Sequence, residues 1–431
     1  MPSTALMLSK LSNPVKHLSG FSGFFTVPSF GVFKSVVHAF LVGDAKSCLN
    51  ISRETGTRYS KLMYFFNDCF FNDSALLNQS VGQLNNHTKT RTDGSCYLLM
   101  DGTQTIKNGS LFEWSDSIWN GEDEDEIITS RGYDNLVILE YSPKKDFRKA
   151  LGMRRFYHND RLFETEYYRE DFEKKPVTAS HLLKEILPIT KAGNIVVDGE
   201  FVNGFLVEQF EKAHLKFTGR FKKSLLVTYT DKSGKLYKKV SLEKLMEKLA
   251  CEGVGSWEKA RYRNQMVDVF TLNLKVESLQ NRIIRIVACR NKDGKVAFIG
   301  TNDLSKTAKS IVRVYGYRWE IEVFFKDVKQ NLGFGNFKLR SVGANTRWQY
   351  LCLLSANILE LIKHEDIGTI KGKVGLAPIL KCLFKTSRMS LGILVKVLKD
   401  AVNGFRLAFN ALNSIFGRDY EQNIRKEVKF F

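Results

Sequence analysis

The chain has 431 residues, with 65 Lys or Arg against 46 Asp or Glu, for a formal net charge of +19. A composition of 43% hydrophobic and 26% charged residues is that of a packed protein, and it excludes wholesale disorder, a collagen-like repeat and a disulfide-stapled miniprotein. This length suggests about three structural units, and the basic excess points to a polyanionic partner, nucleic acid ahead of an anionic membrane surface.

The seven cysteines form no C-x-x-C pair and the seven histidines show no H-E-x-x-H spacing. A zinc ribbon, a disulfide framework and a His-based metal site are therefore not expected, and a reducing compartment fits best. The apolar stretch from Phe21 to Val42 is broken by Pro28, Lys34 and His38, so no membrane span is expected there. The N-terminus has no basic segment leading a clean apolar run, so a signal peptide is not expected either.

Residues 1–92 read as mostly helical. Within them, Phe40 to Phe66 holds a glycine turn, Gly56, followed by Thr57-Arg58-Tyr59 and the periodic Leu62, Phe65 and Phe66. That pattern suits a helix-turn-helix and an ordinary helical hairpin equally. The polar stretch from Asn85 to Gly94 marks a boundary.

Strands follow. Tyr97 to Met100 and Leu136 to Leu139 are apolar runs, Met153 to Tyr157 is a third strand candidate, and Ile195 to Val197 is another apolar run that ends on Asp198-Gly199. Ser180 to Thr190 is predicted as a helix with Ser180 as its N-cap, Gly204 to His214 as a second helix, and Ser224 to Thr228 as a strand. This order predicts an α/β layer built on a central sheet. Residues 210–305 are basic and turn-rich, and Asp293-Gly294 between two apolar runs signals a hairpin. Ala308 to Leu332 is predicted as one long helix, and the chain beyond 345 as helical. The acidic run Glu122 to Glu126 reads as a solvated loop.

Two apolar strands end on Asp-Gly, at Asp101 and Asp198. Strand ends are where α/β folds place ligands, although Asp-Gly also marks plain turns. The 308–332 segment carries Tyr315, Arg318, Glu322 and Lys329 at spacings of 3, 4 and 7. On one helix, at about 100° per residue, these fall within roughly 60° of each other. Most of the residues around them are apolar, so the helix is expected to be buried and its charges to need partners. Two aspartates, a divalent metal and phosphate groups would supply them. Three carboxylates from separate elements can hold two hard cations about 4 Å apart.

The segment from Tyr315 to Lys329 resembles the Y-x2-R-x3-E-x6-K signature of DDE transposases of the insertion sequence four family, including Trp319 after the arginine and Leu332-Gly333 after the lysine. Asp101 in YLLMDGT and Asp198 in NIVVDGEF resemble the family's two strand-end aspartates. The resemblance covers residues 95–360. It implies an RNase H-like catalytic domain with a β-rich insertion, flanked by helical N- and C-terminal regions. The implied partition is 1–92 for DNA binding, 93–209 for the first part of the core, 210–305 for the insertion, 306–345 for the signature helix and 346–431 for the C-terminal region. Asp101, Asp198 and Glu322 are implied as catalytic residues holding two Mg²⁺ or Mn²⁺ ions. Tyr315, Arg318, Lys329 and Trp319 are implied as DNA and phosphate contacts. The implied activity is cleavage at terminal inverted repeats and strand transfer to target DNA, by a homodimer in a synaptic complex on double-stranded DNA, in a bacterial-type cytoplasm near the nucleoid. A repurposed DNA-binding protein and an RNase H-like nuclease without strand transfer are the alternatives. Where many relatives have a second aspartate after the first, this chain has Gly102. No tryptophan stands just before Thr301-Asn302, where Phe298 is the nearest aromatic and Trp257 lies elsewhere.

Overall fold

The computed structural model describes residues 14–365, apart from 43–46, 108–110, 114, 124–125, 158–172, 232–233, 252–256 and 264. A 3₁₀ segment, Pro14–Phe24, leads into α1 (Val27–Val42), α2 (Cys48–Thr55), α3 (Tyr59–Asn67) and α4 (Asp73–Asn86). Ser47 and Asn72 cap α2 and α4, their side chains accepting from Asn50 and Ala75 backbone N–H groups. Gly56, at φ 68°, ends α2 in the left-handed conformation that glycine adopts without strain.

The strands and remaining helices follow as β1 (Tyr97–Ile106), β2 (Asp116–Asp123), β3 (Glu126–Ser142), β4 (Phe147–Phe156), α5 (Lys175–Ile186), β5 (Asn194–Val197), α6 (Gly204–Lys212) and β6 (Lys216–Phe221). Then come β7 (Leu226–Thr230), β8 (Leu236–Ser241), α7 (Leu242–Cys251), β9 (Glu258–Tyr262), β10 (Gln265–Val276), β11 (Arg282–Arg290), β12 (Val296–Thr301), α8 (Ala308–Gly316), α9 (Trp319–Asn331) and α10 (Val342–Glu365).

All these strands join one sheet in the order β2-β3-β1-β5-β6-β12-β11-β10-β7-β8, with β4 also on β3 and β9 on β10. The centre, β1-β5-β6, is parallel, and the other pairings are antiparallel. Successive residues of a strand face opposite sides, so β1 serves two cores. Leu99 joins a cluster with residues of α1 to α4 and of α8 to α10, while Leu98 and Met100 join one with α5, α6 and α7. Apolar runs such as Ile195-Val196-Val197 are fully buried because helices cover both faces.

Helix α10 runs through the first of these cores. Trp348, Leu351, Leu353, Leu354 and Ala356 are buried around its circumference, as in a helix with no solvent face. Its polar residues bond to the sheet. Asn357 accepts from the Ala150 N–H at 2.8 Å and donates to the Ala150 carbonyl at 2.9 Å, and Asn345 and Gln349 accept from Arg155. The N-terminal helices are tied to the sheet by Lys149, whose ammonium meets Glu140 at 3.2 Å, Asn85 of α4 at 2.5 Å and the Thr90 carbonyl at 3.1 Å. Burial lowers the Lys149 pKa, and the Glu140 carboxylate opposes that shift.

Several sequence expectations change. The helix expected from Ser180 starts at Lys175, because Pro176 in the first turn pre-sets the helical φ where its missing N–H costs nothing. Ser180 is a buried mid-helix residue, not a cap. The helix expected over 308–332 is two helices. Between them, the N–H groups of Tyr317 and Arg318 bond to Val314 and Tyr315 three residues back, a tightened 3₁₀ turn. Tyr317 is wedged there against Tyr97 and Tyr141, with ring centroids 5.0 and 5.4 Å away. Of the acidic run, Glu122 and Asp123 belong to β2 and Glu126 to β3, where Asp123 pairs with Glu126, while residues 124–125 lie outside the described residues. The helical expectation beyond residue 365 lies outside the described residues. Among the described residues no helix is long and apolar enough to cross a membrane.

The Lys149–Glu140 pair makes a stability prediction. Lys149→Met leaves the Glu140 carboxylate buried without its cation, and chemical denaturation should show a loss of about 3–5 kcal/mol. Adding Glu140→Gln should restore a substantial part of it.

Candidate active site

The parallel register of β1 and β5 sets Leu98 beside Ile195 and Met100 beside Val197. The next residues on the two strands are Asp101 and Asp198, so two acids emerge side by side at the centre of the sheet. Asp198 then opens a 3₁₀ turn, Gly199–Phe201. Gly219, opposite Val197 on β6, makes room for that turn, since a Cβ there would lie 2.5 Å from the Val202 side chain.

Above these strand ends stands the start of α9. Arg318 reaches across with one guanidinium nitrogen 2.9 Å from Asp101 Oδ2, while the other holds Glu322 one turn further along the helix. One cation thus joins a carboxylate from the sheet to one from the helix. Asp101, Asp198, Glu322 and the phenol of Tyr315 all act electrostatically on Arg318 and raise its pKa against its partial burial.

Burial pushes Asp101 up to about 7, with Asp198 and Glu200 adding to the shift. Arg318 and the Gly102 N–H, 2.9 Å from Asp101 Oδ1, oppose it. Tyr315 is buried at the end of α8 and lies over Tyr262 of β9 at a centroid distance of 6.4 Å. Burial drives its phenol pKa up, so it stays protonated and available as a donor. Lys329 is half-buried two turns beyond Glu322. Its pKa is lowered by burial, and the charge acting against that shift is Asp134 of β3.

Three groups of this neighbourhood were not singled out in the sequence. A Cβ at Gly102 would lie 3.5 Å from Asp134 Oδ1, 3.6 Å from Lys175 Nζ and 3.9 Å from Glu200 Oε1. Lys175 pairs with Glu200 at 2.8 Å and approaches Asp134 at 3.9 Å. Glu200 follows Asp198 by two residues, a local signal. Asp134 and Lys175 arrive through long-range pairing that no local pattern announces.

Trp319 does not join the acids. It is exposed on the other side of the α8–α9 turn, under the guanidinium of Arg263 at 3.7 Å. Phe298 is buried in the sheet, and Trp257 packs against Phe270 and Arg290.

The donors suit a hard cation in kind, being carboxylate oxygens from separate elements. Among the described residues no three His, Cys, Asp or Glu side chains form a ready-made metal cage. The Arg318 guanidinium spans Asp101 and Glu322. A divalent ion between them requires that guanidinium to turn towards another anion.

A family model described as the transposase DDE domain matches residues 173–358, from the start of α5 into α10, and includes Asp198 and Glu322 but not Asp101. Among solved structures, the chain is similar to a piggyBac transposase in a synaptic complex with hairpin DNA, at 10% identity and a TM-score of 0.44, covering 91% of this chain and 82% of that one. It is also similar to the NurA nuclease from Sulfolobus solfataricus, at 11% identity and a TM-score of 0.23, covering 56% and 79% of the two chains. No curated protein matches the chain.

The raised Asp101 pKa makes a prediction about stability. The folded state holds this proton more tightly than the unfolded chain, whose Asp titrates near 3.9. The contribution is therefore complete below about 4 and is lost as pH rises through about 7. In chelator, Asp101→Asn should melt a few degrees above the wild type at pH 8, and the gain should shrink at pH 5.

Proposed function

We propose that this chain, a DNA transposase carrying a DDE domain, is of the insertion sequence four type and acts on the terminal inverted repeats of its own element. The observation that carries this reading is the bridging of Asp101 and Glu322 by Arg318, with Asp198 on the adjacent strand acting on the same guanidinium. The reading includes an RNase H-like core split into 93–209 and 306–345, with 210–305 as its insertion. It also includes a DNA-binding region at 1–92, a helical C-terminal region at 346–431, and a homodimer in the synaptic complex.

Asp101, Asp198 and Glu322 would hold two Mg²⁺ or Mn²⁺ ions. Bound metal would activate the attacking water or 3′-hydroxyl and stabilise the leaving oxygen of the phosphodiester. The protein's own residues do the rest. Arg318 transfers its planar fork from the carboxylates to a phosphate, which frees the acids and neutralises the substrate. Tyr315 donates a hydrogen bond from a phenol that burial keeps protonated. Lys329 supplies a point charge from a half-buried position. The site excludes part of its water before DNA arrives, which strengthens each of these contacts.

Asp198→Asn should abolish Mg²⁺-dependent nicking of a labelled element end while leaving binding to that end nearly unchanged. Near-normal nicking by that variant would remove Asp198 from the catalytic set. Arg318→Lys keeps the charge but loses the fork, so single-turnover cleavage of pre-bound DNA should fall by at least about tenfold. Lys329→Arg should have a milder effect. Equal, wild-type rates for both variants would reduce the Arg318–Glu322 contact to an ordinary helix pair, worth a few tenths of a kcal/mol.

A further inference from the structure

On the other side of the β9 strand from Tyr262 lies a groove of about 750 Å³ between the β9–β10 hairpin and α8. Its walls carry Lys259, Arg261 and Arg263 from the hairpin and Lys309 and Arg313 from α8, with Trp319 among the residues that line it. Two of these cations are committed to acids: Lys259 meets Asp268 at 2.5 Å, and Lys309 lies 3.9 Å from Glu258. The one acid lining the groove itself, Glu320, is held by Arg148 at 2.8 Å. Among the described residues no acid is within ion-pair distance of Arg261, Arg263 or Arg313, and Arg261 Nε donates to the Arg263 carbonyl at 3.2 Å, so the groove holds three arginines with no acid partner.

The spacing of the cations is informative. Lys309 and Arg313 are one turn apart on α8, about 6 Å. That interval is close to the separation of neighbouring phosphates along one nucleic acid strand.

A second and independent observation concerns Arg263 alone. It occupies the hairpin turn at φ 54°, a left-handed conformation that glycine or asparagine adopts more cheaply. An arginine in that position costs backbone energy, and its guanidinium is nevertheless seated 3.7 Å over the Trp319 ring. A two-residue hairpin turn demands a positive φ of its first residue but not an arginine there, so it is the oriented, acid-free guanidinium that points to a ligand.

We propose that this groove binds the phosphodiester backbone of DNA, independently of sequence, beside the acidic cluster rather than within it. Tyr262 lies against Tyr315 on the cluster side, and Arg261 and Arg263 line the groove on the other, so the hairpin separates the two. The choice of DNA rests on the transposase reading; the groove's preference for a row of phosphates rests on the arginines. The backbone comes either from the element end flanking the cut or from the target.

The test is fluorescence anisotropy on the full chain without divalent metal, using two labelled duplexes: one carrying the inverted repeat found beside the gene, the other of random sequence. Arg263→Gly relieves the backbone strain, so its melting temperature should be equal to or above that of the wild type. Its affinity should nevertheless fall roughly three- to tenfold, and the slope of log affinity against log salt should shrink by about one. Arg261→Ala with Arg313→Ala should deepen both effects. The loss is expected on both duplexes, and a loss confined to one overturns binding independent of sequence. Nicking of a labelled element end that falls with Arg263→Gly assigns the groove to the element end, and nicking retained with strand transfer lost assigns it to the target. Unchanged affinity and slope for all variants on both duplexes overturn the groove while leaving the acidic site untouched. Failure of the wild type to bind either duplex overturns the groove together with the DNA reading, and loss of nicking by Asp198→Asn with binding retained shows that reading to hold independently.

Discussion

The parallel register of β1 against β5 is the constraint on which the site depends. With Met100 set beside Val197, the residues that follow are both aspartates. A slip of one residue would turn every side chain of β1 to the opposite face. Leu99 would leave the layer of α8 to α10, Leu98 and Met100 would leave that of α5 to α7, and Asp101 would point away from Arg318. The register is held because both faces of the sheet are buried, so a slipped pairing exposes no polar face that could compensate. The hydrophobic core and the acidic pair are therefore specified by the same hydrogen bonds.

Bringing acids together at the centre of a covered sheet is unfavourable unless a cation accompanies them. Arg318 is that cation for Asp101 and Glu322, and Lys175 plays the same part for Glu200 and Asp134 on the other side of Gly102. Gly102 leaves open the space that those side chains share; an aspartate in its place would add a carboxylate beside Asp134 and Glu200. The departure at Gly102 thus sits in a neighbourhood that already has its complement of acids.

Much of this was legible in the sequence, for identifiable reasons. Asp101 and Asp198 stand out because each terminates an unbroken apolar run, and such runs mark strands buried on both faces. Arg318 and Glu322 stand out because their spacing of four places them on one helical face, and both contact one another. The single-helix reading failed at Tyr317 because the break is tertiary: two tyrosines from β1 and β3 receive that ring, and nothing local except Gly316 hints at a turn. The start of α5 was missed because Ser180 is a common cap, whereas Pro176 in the first turn is the stronger marker. Trp319, implied as a DNA contact by its place after Arg318, lines the basic groove under Arg263. Asp134 and Lys175 could not be found locally, since only the folded sheet brings them to Gly102.

Strands β6 and β12 are hydrogen-bonded neighbours, with Phe221 beside Phe298, and β11, β10, β7 and β8 extend the same sheet beyond them. In the loops that join those outer strands length is cheap, since closing a loop costs only about 0.6 kcal/mol more per doubling of its length. The turn between α8 and α9 has the opposite property. One residue added there would rotate Glu322 about 100° around its helix axis relative to Tyr315, and Arg318 could no longer reach both of its carboxylates. Length is cheap in the outer loops of the sheet and fixed in the turn that joins Tyr315 to the third acid's helix.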